Sequence, residues 1–168
     1  LVGTRLFFVA NDGTNGRELW TSNGTTTTTA MVKDIEPGAK SLSPFGLISF
    51  AGKVFFAATS GSSGTELWCS DGTSAGTDLL SDVNPGPSSS WLSRLTRCGD
   101  KLFFQAYANS LGYELWCSDL TTFGTELVKD IALGGGNSSP TNLVAVGDKV
   151  YFAARMSTHG VELFSSDG

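Results

Sequence analysis

The sequence predicts an all-β protein: a β-propeller of four-stranded antiparallel blades, 48 residues each, incomplete within these 168 residues. Three observations carry that reading. One phrase occurs four times at a fixed step: Trp20, Trp68 and Trp116 are 48 residues apart, and Phe164 holds the fourth place. Glu18, Glu66, Glu114 and Glu162 keep the same interval, as do Gly16, Gly64, Gly112 and Gly160. A fixed period in this range belongs to solenoids, propellers and arrays. Short apolar runs are punctuated by Asp-Gly and Asn-Gly pairs, which are hairpin signals. Finally, no segment places apolar residues at helical spacing. A parallel β-helix also repeats, but its coils have no use for hairpins.

The elements of one repeat follow in order. Val2-Gly3 closes a strand, and Arg5-Leu6-Phe7-Phe8-Val9-Ala10 opens the next across a tight turn. The same join recurs at Ala51-Gly52-Lys53, Gly99-Asp100-Lys101 and Gly147-Asp148-Lys149. Leu6 and Phe8 share one face and Phe7 the other, so both faces are apolar and call for cover. The loop from Asn11 to Gly16 leads into the strand Glu18-Leu19-Trp20-Thr21. The next turn is Asn23-Gly24, Asp71-Gly72 or Asp167-Gly168; Asp119-Leu120 in the third repeat predicts a longer or distorted one. A third strand is expected at Met31–Ile35, Leu79–Val83 and Leu127–Ile131. A Pro/Gly/Ser-rich connection, as at Asn84–Ser90, then crosses to the inner strand of the next blade, Gly46–Phe50 or Asn142–Val146. Blades are expected at about residues 1–36, 45–84, 91–132 and 141–168, in one repeat domain. The first lacks most of its inner strand and the last its outer strand, as in a window cut from a longer array. Unpaired strand edges at those ends invite self-association.

Composition excludes several function classes. A net charge of −5 and a pI near 4.7 argue against nucleic acid, which needs a basic face. No apolar run approaches a membrane span. Three cysteines are too few for a disulfide framework, and with His159 alone beside them they have no zinc spacing. Cys69 and Cys117 hold equivalent places and should point the same way.

Glu66-Leu67-Trp68-Cys69-Ser70-Asp71-Gly72-Thr73-Ser74-Ala75-Gly76-Thr77 resembles the signature of the ELWxxDGT repeat family. The likeness spans the chain. It is strongest in the second repeat and weaker where Asn23 replaces Asp, Leu120 replaces Gly and Phe164 replaces Trp. The resemblance implies tandem repeats of large secreted or cell-surface proteins, a β-propeller fold and no catalytic residues.

The recurring carboxylates Glu18, Glu66, Glu114 and Glu162 admit two readings, a ring of ligands or structural acceptors for turn N–H groups. The second is favoured, because a buried carboxylate must be satisfied. The recurring aromatics Trp20, Trp68, Trp116 and Phe164 are read as packing between blades. No cofactor is implied. Calcium at Asp34, Asp82 and Asp130 with Asp71 and Asp119 is a minor alternative, since no Asp/Asn ladder of a calcium loop is present. His159 has no activated serine beside it, and Gly134-Gly135-Gly136 lacks the lysine and helix of a phosphate cradle. Asn23-Gly24-Thr25 and Asn137-Ser138-Ser139 fit the N-glycosylation pattern at Asn23 and Asn137.

The leading functional expectation is a non-enzymatic extracellular or cell-surface module, structural or interacting, within a longer array or filament. One alternative is a glycan- or protein-binding propeller. It would use the non-repeating residues of the loop face: Trp91, Tyr107, Arg155, Met156 and His159. Another is part of an enzyme whose active residues lie outside these residues.

Overall fold

Every strand pairing among the described residues is antiparallel, which removes the parallel-coil alternative. The computed structural model describes residues 1–38 and 41–168. It falls into two compact units, Leu1–Ser89 and Ser90–Gly168.

The first unit holds two sheets. One is β1 (Leu6–Asn11), β2 (Arg17–Ser22) and β3 (Ala30–Met31); the other is β4 (Phe45–Phe50), β5 (Lys53–Ser60), β6 (Gly64–Ser70) and β7 (Thr77–Ser81). The second unit repeats the plan. Strands β8 (Ser93–Cys98), β9 (Lys101–Ala108), β10 (Gly112–Ser118) and β11 (Thr125–Lys129) form one sheet. Strands β12 (Thr141–Val146), β13 (Lys149–Met156) and β14 (Gly160–Ser166) form the other. Ahead of β1, only a Val2–Arg5 bridge marks the place of a further strand.

Alternation along the strands gives each sheet a front and a back. In the first unit, Val54, Phe56, Ala58 and Trp68 on the front of the four-stranded sheet pack with Phe7 and Leu19 on the back of the three-stranded one. In the second unit, Val150, Phe152 and Ala154 on the front of β13 pack on Phe103, Leu115 and Cys117 on the back of β9–β10. The fully buried phenylalanines (55, 56, 103 and 104) all lie on β5 and β9.

Three local expectations are corrected. The third strand ends before Asp34, Asp82 and Asp130: β3, β7 and β11 stop at Met31, Ser81 and Lys129. The ladder shifts register between Leu67 and Trp68 and between Leu115 and Trp116. The residues beyond give their N–H groups to a side chain instead, as described below. The Asp71-Gly72 turn is not a two-residue hairpin, because Ser70 pairs with Thr77 and six residues lie between. The turn at Asp119-Leu120 is neither longer nor distorted: Ser118 pairs with Thr125, and Leu120 takes a φ of +69° where Gly72 has +89°. Ser70 and Ser118 brace the two turns alike, their Oγ accepting the Gly72 and Leu120 N–H at 3.0 and 3.1 Å. The fourth-repeat turn keeps this brace too, from Gly168 N–H to Ser166 Oγ at 3.0 Å.

Candidate functional site

The recurring carboxylates sit on the second long strand of each repeat, two residues after a glycine. Gly64 and Gly112 have φ of +67° and +72°, and a Cβ on either would run into the connecting backbone, at 2.7 Å from Ser88–Ser89 and 1.9 Å from Gly136 O. The connection therefore lies hard against the strand, and the carboxylate seizes it. Glu114 Oε1 accepts the Ser138 N–H at 3.0 Å, and Oε2 accepts the Ile131 N–H at 3.2 Å and the Ser138 hydroxyl. Glu66 Oε2 accepts the Val83 N–H at 2.8 Å, and Glu18 Oε1 the Leu42 N–H at 3.1 Å. The partners lie 17 or 24 residues downstream: Glu114 ties both ends of the segment leading to the next sheet, Glu66 holds the near end at Val83 and Glu18 the far end at Leu42. Glu18, Glu66 and Glu114 are wholly buried. Burial pushes the Glu18 carboxyl up to about 7, against the lowering effect of the Leu42 N–H. Glu162 differs: it is exposed.

A second set of fasteners escaped the sequence reading. The N–H following each glycine donates to a side chain 24 residues on: Arg17 to Ser41 Oγ at 2.9 Å, Thr65 to Ser89 Oγ at 2.9 Å and Tyr113 to Asn137 Oδ1 at 2.8 Å. Ser41, Ser89 and Asn137 are 48 apart, a signal hidden inside a stretch read only as loop. Asn137 is thus a fastener as well as an exposed residue of the Asn-Ser-Ser triplet. Asn23 is exposed, and its Oδ1 accepts hydroxyls from Thr25 and Thr28.

The non-repeating residues separate on inspection. Trp91 is 61% exposed with φ of +50° on the connection. Tyr107 is on β9, its N–H bonded to Ser90 O at 2.6 Å and its ring 5.3 Å from that of Tyr113. Arg155 occupies the equivalent place on β13, with its N–H on Ser138 O at 2.8 Å and an exposed side chain. His159 is exposed on the β13–β14 loop, its Nδ1 2.6 Å from Thr158 Oγ1. Met156 is corrected from loop to strand: it ends β13 and packs on the core of the second unit. The backbone bonds of Tyr107 and Ser90 put Trp91 and Tyr107 at one end of one sheet.

The five aspartates of the calcium alternative do not converge. Asp71 and Asp119 lie before β7 and β11, Asp82 and Asp130 beyond their far ends. Asp71 Oδ1 accepts the Thr73 hydroxyl at 2.7 Å and its N–H at 2.8 Å, which holds the carboxyl below its ordinary range. Asp82 and Asp130 use Oδ2 on the Gly86 and Gly134 N–H, at 3.3 and 2.7 Å. Among the described residues no three His, Cys, Asp or Glu gather as for a metal. Two buried groups recur without a partner there: Oδ1 of Asp34, Asp82 and Asp130, and Nε1 of Trp20, Trp68 and Trp116. All three thiols are buried and free, and burial pushes that of Cys117 up to about 11. No helix among the described residues is long and apolar enough to cross a membrane.

No protein-family model and no curated protein matches the chain. Among solved structures it is similar to the computationally designed Ika8 protein, at 15% identity and a TM-score of 0.50, over 96% of this chain and 46% of that one. It is similar also to a structure from a study of two prolyl endopeptidases, at 15% identity and a TM-score of 0.56, over 98% of this chain and 25% of that one. The chain thus spans about half and a quarter of these two lengths. At such identity the likeness concerns the arrangement of strands and not the chemistry.

Proposed function

We propose that the four sheets are successive blades of a propeller-type array, and that the chain is a non-enzymatic structural or interaction module of the cell surface or extracellular space. One observation carries the reading: the recurring acids are spent on architecture. Glu18, Glu66 and Glu114 hold backbone N–H groups of the connections. A carboxylate so bonded serves to position chain, not to exchange protons with a substrate. The surface location rests on the resemblance to ELWxxDGT repeats.

A second reading, glycan binding at the loop end, is favoured by the exposed Trp91 and the half-buried Tyr107–Tyr113 pair, since aromatic rings with a free face suit sugars. Two measurements on the 168-residue chain decide. Panels of chromogenic peptide, ester and glycoside substrates should show no turnover above buffer. Turnover abolished by a point variant would overturn the non-enzymatic reading. A glycan array supports the second reading only if a signal disappears in Trp91→Ala or Tyr107→Ala.

A further inference from the structure

We propose that the Asn23 side chain is the acceptor of an N-linked glycan, and that Asn137, which fits the same sequence pattern, is not. The inference rests on the extracellular reading above, because the pattern is an acceptor only on a chain that enters a secretory route.

Both asparagines are exposed, so exposure does not separate them; their hydrogen bonds do. Asn23 opens the turn between β2 and β3, and residues 23–30 are all exposed. Its Oδ1 accepts the Thr25 hydroxyl at 3.1 Å and the Thr28 hydroxyl, and its N–H donates to Thr28 Oγ1 at 3.2 Å. The Gly24 N–H donates to Ser22 Oγ at 3.0 Å. These partners all lie within five residues, so the turn can open into an extended acceptor without breaking a strand pair. Asn23 Nδ2 donates to no group among the described residues. Exposure belongs to the turn itself: Asp71, in the same place one repeat on, is exposed although the three-stranded sheet packs on the front of its own. Asp71 and Asp119 also accept the hydroxyl two residues on, from Thr73 and Thr121 at 2.7 Å each. The threonine is thus part of the turn in three repeats, and Asn23 alone sets an amide nitrogen beside it.

Asn137 is held the other way. Its Oδ1 accepts the N–H of Tyr113, 24 residues away, at 2.8 Å, and stands 2.7 Å from where a Cβ on Gly112 would be. Ser138 is 1% exposed and gives its N–H to Glu114. The Ser139 N–H donates to Tyr113 O at 3.0 Å, its φ is +45°, and Pro140 behind it is buried. Freeing this triplet undoes tertiary bonds at three successive residues. Losing two of them already makes the opening at least about tenfold rarer than in the self-contained turn.

The transfer joins Asn23 Nδ2 to the anomeric carbon of a lipid-linked oligosaccharide. The bond from that carbon to the lipid's phosphate oxygen breaks, the phosphate leaves with the electron pair, and one Nδ2 proton passes to a base of the transferring enzyme. Strand β2 runs from Arg17, held to Ser41, to Ser22 before the turn, so the glycan stands at the end of its sheet away from the connection.

Secretion of the 168-residue chain from a eukaryotic cell line, with site mapping by mass spectrometry before and after peptide N-glycosidase, tests this. Occupancy at Asn23 should exceed that at Asn137 at least about tenfold. Asn23→Asp, the residue of the second and third repeats, should remove the glycan and leave the circular dichroism spectrum unchanged. Asp71→Asn, which completes the triplet in an equivalent turn, should gain a second glycan. A secreted chain bare at Asn23, or occupancy at Asn137 equal to it, overturns the inference. So does position 71 left bare in Asp71→Asn, because the argument is from the turn and not from the triplet. The host supplies the secretory route, so these outcomes concern the turn alone; the non-enzymatic reading stands or falls on the turnover assay.

Discussion

Removing the Glu114 carboxylate should cost far more than removing the same residue one repeat later. Two donors lose their acceptor in Glu114→Ala, the Ile131 N–H and the Ser138 N–H, and the Ser138 hydroxyl is left with only the Tyr113 carbonyl at 3.3 Å. Ser138 is 1% exposed and Ile131 9%, so water does not simply replace the carboxylate. A buried group left unpaired costs roughly 1–3 kcal/mol, so the two N–H groups with the weakened hydroxyl come to about 3–6 kcal/mol. With a urea slope of about 2 kcal/mol/M, the midpoint should fall by about 1.5–3 M. Glu114→Gln retains one accepting oxygen and should fall about half as far. Glu162→Ala removes an exposed carboxylate and should stay within about 0.5 kcal/mol of wild type. Tryptophan fluorescence in urea gives the midpoints, and hydrogen exchange at Ile131 and Ser138 shows whether the connection has come loose. Equal midpoint losses for the two alanine variants, or unchanged exchange at Ile131 in Glu114→Ala, would refute the clamp.

Trp68→Ala should cost about 3–5 kcal/mol, since Trp68 lies in the core of the first unit, whereas Trp91→Ala should shift the thermal midpoint little. Equal thermal shifts for the two would contradict the assignment of inside and outside. Leu120→Gly should stabilise by about 1 kcal/mol, because Leu120 holds a left-handed backbone that glycine adopts freely; a loss in urea unfolding would count against it. Stability should also depend on pH through Glu18. Its carboxyl is raised from an ordinary 4.5 to about 7, so the folded chain binds this proton more tightly than the unfolded chain. The contribution is complete below about pH 4.5 and is lost as pH rises through about 7, by at most about 3 kcal/mol. Glu18→Gln should flatten the difference between urea midpoints at pH 5 and 8; an unaltered slope would assign it to other groups.

The 48-residue step made the order of strands readable, since a pattern of period two with hairpin punctuation fixes which faces are apolar. It could not reveal what the carboxylates hold. Glu114 and Ser138 are 24 residues apart, and their contact depends on a connection whose path is set by Gly112 having no side chain. Ser41, Ser89 and Asn137 were missed for the same reason, being three different contexts of polar loop with one geometric duty. Residue type alone does not decide the turn at Leu120. The Ser118 hydroxyl and the Asp119 carboxylate hold that turn in place of glycine's freedom. Met156 breaks the repeat in residue type, yet its position falls within the strand ladder opposite Gly160.

The clamp also decides where such an array can vary. Ser43, Trp91 and Ser139, one place after Leu42, Ser90 and Ser138, have φ of +49°, +50° and +45°, so the backbone leaves the sheet at one angle whatever the side chain. Three residues later Gly46, Arg94 and Asn142 are again left-handed, at +65°, +62° and +54°, and the register of the inner strand shifts there. A bulge of this kind re-aims side chains without breaking the pairing on either side. At the first of these bends the chain carries serine in two repeats and a half-free indole in the third, yet the strands that follow pair in the same ladder residue for residue. In two of the repeats the residue before the bend, Leu42 or Ser138, is held by its own N–H donating to Glu18 or Glu114, so the side chain at the bend is not what fixes the conformation. That position can therefore take a large aromatic group at no cost to the core, and Trp91 is where this chain has done so.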